Sequence, residues 1–270
     1  MTIMLRVLKG KRSPFYEWRH RSREPDHPLV RMAIHEAHEV SDRTYGVRRV
    51  VPELRSQGFA CGKKLVARLM REEGLQGLLR RTKPYGKAKQ AEVQTVPNNL
   101  DRQFLVQSPN TVWVSDITYI WTRSGWVYLA VILDLYSRMV VGWSISMIAD
   151  TSLVLEALRA AVLRRRPGRG VLMHTDQGCQ YTSLAWRGAL ETMGFRLSMS
   201  GRGQCWDNAP MESWNGILKR ESRVITTLQS GLDDVGDVLF RWIEGWYNSR
   251  RRHSKLGYSS PAEHEVKWAA

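Results

Sequence analysis

Between Thr111 and Ile145 the chain carries three runs rich in β-branched and aromatic residues, separated only by short turn-forming breaks. Thr111 to Ile120 is the first run, and Gly125 divides it from Trp126 to Leu133. The turn Asp134-Leu135-Tyr136-Ser137-Arg138 leads into Met139 to Ile145. Runs of this composition and length predict three consecutive antiparallel strands. Ser152 to Arg164 then takes helical periodicity, with Leu153, Val154, Ala157, Leu158 and Ala161 facing inward. Val171 to His174 predicts a short buried strand, Leu184 to Met193 a helix, and Phe195 to Met199 another strand. Gly201 and Gly203 mark a loop ahead of a helix containing Glu212. Five strands interleaved with helices predict an α/β layered core.

The front of the chain reads differently. Formal net charge is +15, of which residues 1–100 hold +11 and residues 101–270 only +4. A basic excess of this kind attracts a polyanion, most often nucleic acid. Pro28 suits the first turn of a helix running to Val40. Val47, Val50, Val51 and Leu54 share one helical face, with the helix expected to begin close to Pro52. Lys63 to Glu73 is amphipathic, with Leu65, Leu69 and Met70 apolar and Lys63, Lys64, Arg68 and Arg71 toward solvent. Helix, glycine-containing turn, basic helix predicts a helix-turn-helix. The organisation expected is a basic segment 1–27, a helix-turn-helix region 28–80, a basic linker 81–108, a catalytic core 109–224 and a helical extension 225–270.

Three widely spaced cysteines, Cys61, Cys179 and Cys205, form no zinc-type pair and suit a reducing cytosol. The longest apolar run, Val127 to Leu135, contains Asp134 and is far too short to cross a bilayer. No membrane association is expected.

Three acidic residues stand out. Asp116 lies near the end of the first strand, Asp176 just beyond a later one, and Glu212 in a helix, with 35 residues between it and Asp176. Each sits in apolar or tightly turning sequence, where an isolated carboxylate is costly. Three converging carboxylates repel one another unless cations hold them. A hard oxygen donor set without His or Cys selects Mg²⁺ or Mn²⁺, and two such ions suit phosphodiester chemistry.

Several segments carry a family resemblance. They are Trp113-Val114-Ser115-Asp116-Ile117-Thr118-Tyr119, His174-Thr175-Asp176-Gln177-Gly178-Cys179-Gln180-Tyr181 and Asp207-Asn208-Ala209-Pro210-Met211-Glu212-Ser213-Trp214. Leu218-Lys219 and the tail from Tyr247 to Pro261 complete the set. Over nearly its whole length the chain resembles the OrfB-type transposases of insertion-sequence family three, in the retroviral-integrase-like Asp-Asp-Glu class. The resemblance implies a ribonuclease-H-like core with a mixed five-stranded sheet. It implies Asp116, Asp176 and Glu212 as catalytic metal ligands for Mg²⁺ or Mn²⁺, two ions in all. Lys219, seven residues beyond Glu212 and on the same helix face, is implied to position DNA. The partners implied are element terminal repeats, target DNA and an upstream OrfA-type protein or fusion. A dimer or larger assembly on DNA is expected, in the bacterial cytoplasm with the nucleoid.

Other residues have readings of their own. Arg250, Arg251 and Arg252 form a basic run suited to phosphates or simply to a solvated surface. His174 suits a packed strand-end histidine more than a proton shuttle, and Asp134 a turn cap more than a fourth ligand. Asn208 suits either helix capping or shaping the site. Two alternatives stay open: a transposase-derived DNA-binding regulator without catalysis, and a metal-dependent nuclease that does not join strands.

Overall fold

A computed structural model describes residues 26–78, 96–201, 203–222, 224 and 231–269. Most of the basic segment 1–27 and of the linker as far as residue 95 lies outside these residues. The chain divides into two compact units, Met1–Gly77 and Leu78–Ala270.

Among its described residues the first unit has three helices: α1 (Pro28–Val40), α2 (Val47–Ser56) and α3 (Lys63–Glu72). Ala33, Ile34 and Ala37 of α1 are buried, as are Val50, Val51 and Leu54 of α2 and Val66, Leu69 and Met70 of α3. Two expectations need correction. Helix α2 begins at Val47, so Pro52 sits inside it. An interior proline costs about 3 kcal/mol, and burial of Val50, Val51 and Leu54 is of a size to offset that. Val66, not Leu65, heads the buried face of α3, because the helix turns Leu65 to a half-buried flank. Arg31 joins α1 to α3 through Glu72 and Glu73 and also bonds Asp26 at 2.8 Å. Arg31 and Arg68 together hold the Asp26 carboxyl down at about 2.

The second unit is built on a five-stranded sheet in the order β3-β2-β1-β4-β5. Strands β1 (Val112–Thr122), β2 (Gly125–Asp134) and β3 (Val140–Ser146) form the antiparallel meander, with a register shift between Ile132 and Leu133. Strands β4 (Leu172–Thr175) and β5 (Arg196–Met199) extend it in parallel from β1. Side-chain alternation gives the sheet two apolar faces. Trp113, Ala130, Ile132 and Val141 pack with α4 (Thr151–Arg165) and α6 (Leu184–Thr192); the four-residue helix α5 (Cys179–Thr182) lies between these two in sequence. Val112, Val114, Ile120 and Val131 pack against α7 (Ala209–Glu221), α8 (Leu232–Phe240) and the π-helical turn Arg241–Asn248 that continues α8. The chain closes with α9 (Pro261–Ala269).

Gly142 sets how closely α4 approaches the sheet. A Cβ there would lie 2.3 Å from the Ala157 carbonyl oxygen and 2.7 Å from the Ala161 Cβ. Only glycine opposite two alanines allows this spacing.

The described half of the expected linker belongs to the core. Leu100 is buried, and Phe104 and Val106 pack on the α7 side of the sheet. Its irregular sequence hides this because the segment gains its contacts from distant strands, not from its own periodicity.

Candidate active site

The site grows from the two central parallel strands. Val112, Trp113 and Val114 of β1 pair with Leu172, Met173 and His174 of β4. Two more steps along the same register set Asp116 beside Asp176, which follows immediately after β4. Glu212 is in the first turn of α7, which packs on β1.

Asp116 is held at both oxygens. Its Oδ1 accepts from the Ile117 backbone N–H at 2.9 Å, and its Oδ2 from Asn215 Nδ2 at 2.7 Å. Burial, followed by the charge of Asp176, pushes the Asp116 carboxyl up to about 7. The two donors oppose that rise and the charge of Glu212 adds to it. Asp176 Oδ1 accepts from the Gly178 N–H at 3.0 Å, while loss of surrounding water raises its carboxyl. The structure therefore brings Asp116 and Asp176 together and places Glu212 within electrostatic reach of Asp116. Among the described residues, no three acidic, histidine or cysteine side chains are close enough to enclose an ion.

A buried polar layer supports the carboxylates. Ser115 and Tyr181 share a hydroxyl bond of 2.8 Å, and Asn208 Nδ2 donates to the Ser115 carbonyl at 3.2 Å. Burial, and then the charge of Asp116, push the Tyr181 hydroxyl above its ordinary range. His174 lies between Ser198 and Ser200, at 2.9 and 3.1 Å, and burial drops its pKa to about 4. Asp207 fastens the loop ahead of α7: it accepts from Gly201 N at 2.9 Å, Asn98 Nδ2 at 3.0 Å and Arg102 Nε at 2.7 Å. Asn208 stands at the N-cap position of α7 without a capping bond from its side chain. Asp134 caps its turn through the Tyr136 N–H at 2.9 Å and accepts from Asn110 N at 2.7 Å, in a place separate from the three acids.

The predicted DNA contacts fall into two groups. Lys63, Lys64, Arg71 and Arg250 are exposed. Lys219 places its ammonium 5.0 Å from the centroid of the Tyr119 ring. Arg68 is exposed but paired with Asp26 at 2.6 Å and with Glu72 at 3.3 Å. Arg251 must be withdrawn as a DNA contact. It is 1% exposed and grips Glu221 through two bonds of 2.6 and 2.8 Å. Arg252 is turned inward onto Glu263 at 2.9 Å.

Asn215 escaped the sequence reading. Its signal was its place three residues after Glu212, which puts both on one side of α7.

Comparison with known proteins gives this arrangement a family. Residues 106–205 and 193–261 match two families each described as "Integrase core domain", and residues 26–83 match an "HTH-like domain". The chain is 36% identical over 269 residues to the transposase InsF of insertion sequence IS3A from Escherichia coli (strain K12), spanning 98% of this chain and 93% of that one. The chain belongs to the IS3-family insertion-sequence transposases. An uncharacterized 31 kDa protein of insertion element IS600 from Shigella sonnei is likewise 36% identical to the transposase, over 98% of each chain. The fold is also that of a solved simian T-cell lymphotropic virus intasome in complex with the PP2A regulatory subunit B56 gamma. That match has a TM-score of 0.50 and 16% identity, and covers 86% of the transposase and 74% of that chain. The sheet is thus of the ribonuclease-H-like, integrase type, joined in sequence to a helix-turn-helix-like region. No helix among the described residues is long and apolar enough to cross a membrane.

Proposed function

We propose that Asp116, Asp176 and Glu212 are the catalytic metal ligands of this transposase. In this reading they hold two Mg²⁺ or Mn²⁺ ions for cleavage of DNA at the element ends and transfer to a new site. The observation that carries the reading is that the charge of Asp176, two residues beyond the last β1–β4 pair at Val114 and His174, acts on Asp116, with Glu212 also near enough to help raise the Asp116 carboxyl to about 7. Like charges are gathered here at a cost that a cation relieves. The donor set is all carboxylate, which fits hard divalent ions. Bound there, the ions would activate the attacking oxygen and offset charge on the departing 3′ oxygen.

The remaining steps fall to the chain's own groups. Asn215 fixes one oxygen of Asp116, and the Gly178 N–H fixes one oxygen of Asp176. Lys219, on the helix of Glu212, supplies a cation to the DNA backbone. Lys63, Lys64 and Arg71 on α3, with Arg250, add phosphate contacts. Tyr181 is buried and its hydroxyl is held by Ser115, so it is no candidate for a covalent DNA intermediate. Assembly as a dimer or larger complex on paired element ends, with an OrfA-type partner or fusion, completes the reading.

The test is a gel assay with labelled element-end DNA and Mg²⁺. Wild type is compared with Asp176→Asn, with the chain alone and as a fusion to the upstream reading frame. Cut and joined products from wild type only support the reading. Cutting without joining favours the nuclease alternative. Binding without product from either form sinks catalysis and favours the regulator.

A further inference from the structure

We propose that the tip of the β1–β2 hairpin is a ledge on which unpaired nucleobases of the reacting DNA strand stack. This rests on the reading of Asp116 as part of the strand-cutting site. Tyr119, Trp121 and Trp126 are 55%, 53% and 44% exposed. Trp121 stands directly across from Trp126 in the hairpin register, and Tyr119 lies on the same face of β1 as Trp121. Trp126 packs edge-on against both, with ring centroids 5.3 Å from Tyr119 and 4.8 Å from Trp121. These rings support one another while keeping much of their surface in water, which is an expensive use of large aromatic side chains.

The ledge neighbours the site at the strand's edge. Tyr119 and Trp121 are three and five residues beyond Asp116 on one strand and leave it from the opposite face, so the link between ledge and site runs round the edge of β1 through Lys219. The pairing of β1 with β4 ends at Val114 and His174, so among the described residues the β4-side edge of β1 beyond Asp116 has no neighbouring strand. The ammonium of Lys219, on the helix that carries Glu212, stands 5.0 Å from the Tyr119 ring centroid. Arg123 is exposed at the hairpin turn.

Charge selects the occupant. A second copy of a chain of net charge +15 would bring more positive charge to these cations. A nucleic acid strand brings phosphates to them and π-faces to the rings, the combination that recognises single strands. In duplex DNA the base faces are already stacked on one another. The phosphates of a duplex are reachable without unpairing, so the ledge acts only where the reacting strand parts from its complement, and there it holds the freed bases.

The test uses the full chain in EDTA, so binding is read apart from catalysis. The probes are a 20-nucleotide oligothymidine and a mixed-sequence duplex of the same length. Trp121→Ala and Trp126→Ala are each expected to weaken oligothymidine binding about tenfold. Duplex binding should change less than about twofold, and Trp121→Tyr should restore most of the loss. Oligothymidine carrying 5-iododeoxyuridine should crosslink to the peptide containing Tyr119, Trp121 and Trp126 in the unaltered chain, which guards against a variant that fails to fold. Unchanged oligothymidine binding in the alanine variants, equal loss for both probes, or crosslinks confined to other peptides would overturn the proposal. So would a wild-type dimer in sedimentation that both alanine variants convert to monomer, since the rings would then be a protein interface. If the ledge binds but the chain makes no cut product, the catalytic reading fails alone. Cut products without ledge binding reject only the ledge.

Discussion

Asn215 donates to Asp116 Oδ2 at 2.7 Å, joining the helix of Glu212 to the strand of Asp116 across 99 residues of sequence. The bond fixes one carboxylate oxygen, while the Ile117 N–H fixes the other at 2.9 Å. Asn215 Oδ1 is buried without a partner among the described residues. Asn215 is thus a positioning residue for the proposed ligand.

Removing it should slow chemistry without removing DNA. Asn215→Ala is expected to lower the cleavage rate by about 10–100-fold, the usual cost of losing a group that orients a metal ligand. Raising Mg²⁺ should recover part of the loss, and DNA retention in EDTA should be unchanged. A wild-type rate at low Mg²⁺ would refute the role.

Asp116 should make the metal-free protein less stable than it need be. Its carboxyl is pushed to about 7, first by burial and then by Asp176, so ionising it at neutral pH opposes folding. Asp116→Asn is expected to raise the melting temperature in EDTA at pH 8 while abolishing cleavage. The same variant should lose the further stabilisation that Mg²⁺ gives the wild type. A lower melting temperature in EDTA would count against the buried-charge account.

Arg250 and Arg251 are adjacent and should behave oppositely. Arg251 is buried on Glu221, and losing one partner of such a pair costs about 3–5 kcal/mol. Arg251→Ala should therefore lower stability sharply in denaturant titration. Arg250→Ala should leave stability within about 0.5 kcal/mol and weaken DNA binding with a reduced salt dependence. If Arg251→Ala were as stable as wild type, its burial would have no energetic meaning.

His174 should contribute an acid-side loss of stability. Burial depresses its pKa to about 4, and the charge of Asp207 opposes the shift. The unfolded ring takes up its proton near the ordinary value of about 6.5. Between those values the unfolded state binds more protons, so stability falls as pH drops from about 6.5 to about 4. His174→Gln should flatten that part of the stability profile, measured by urea titration at several pH values. An unchanged slope would mean that His174 is not the group responsible.

Much of the architecture was legible because its signals are local. Thr111 to Ile145 spells three strands through β-branched and aromatic runs cut by short turns, and the structure places β1, β2 and β3 there. Asp116 and Asp176 were also visible, since a carboxylate beside a buried strand is conspicuous in any apolar run. The basic front and the helical spacing of α1, α2 and α3 needed no distant information either.

Tertiary structure decided what depends on a distant partner. Arg250, Arg251 and Arg252 are identical in type, and only Glu221 and Glu263 separate the exposed one from the two drawn inward. Helix α2 accepts Pro52 because packing of its apolar face stabilises what local propensity disfavours. Leu100 is buried and the exposed Arg102 is tied down because they meet Ser198 and Asp207, about a hundred residues away. The bond from Asn215 to Asp116 is of the same kind. Sequence fixes the period and charge of each segment, but burial and hydrogen bonding belong to pairs, and the fold chooses the pairs.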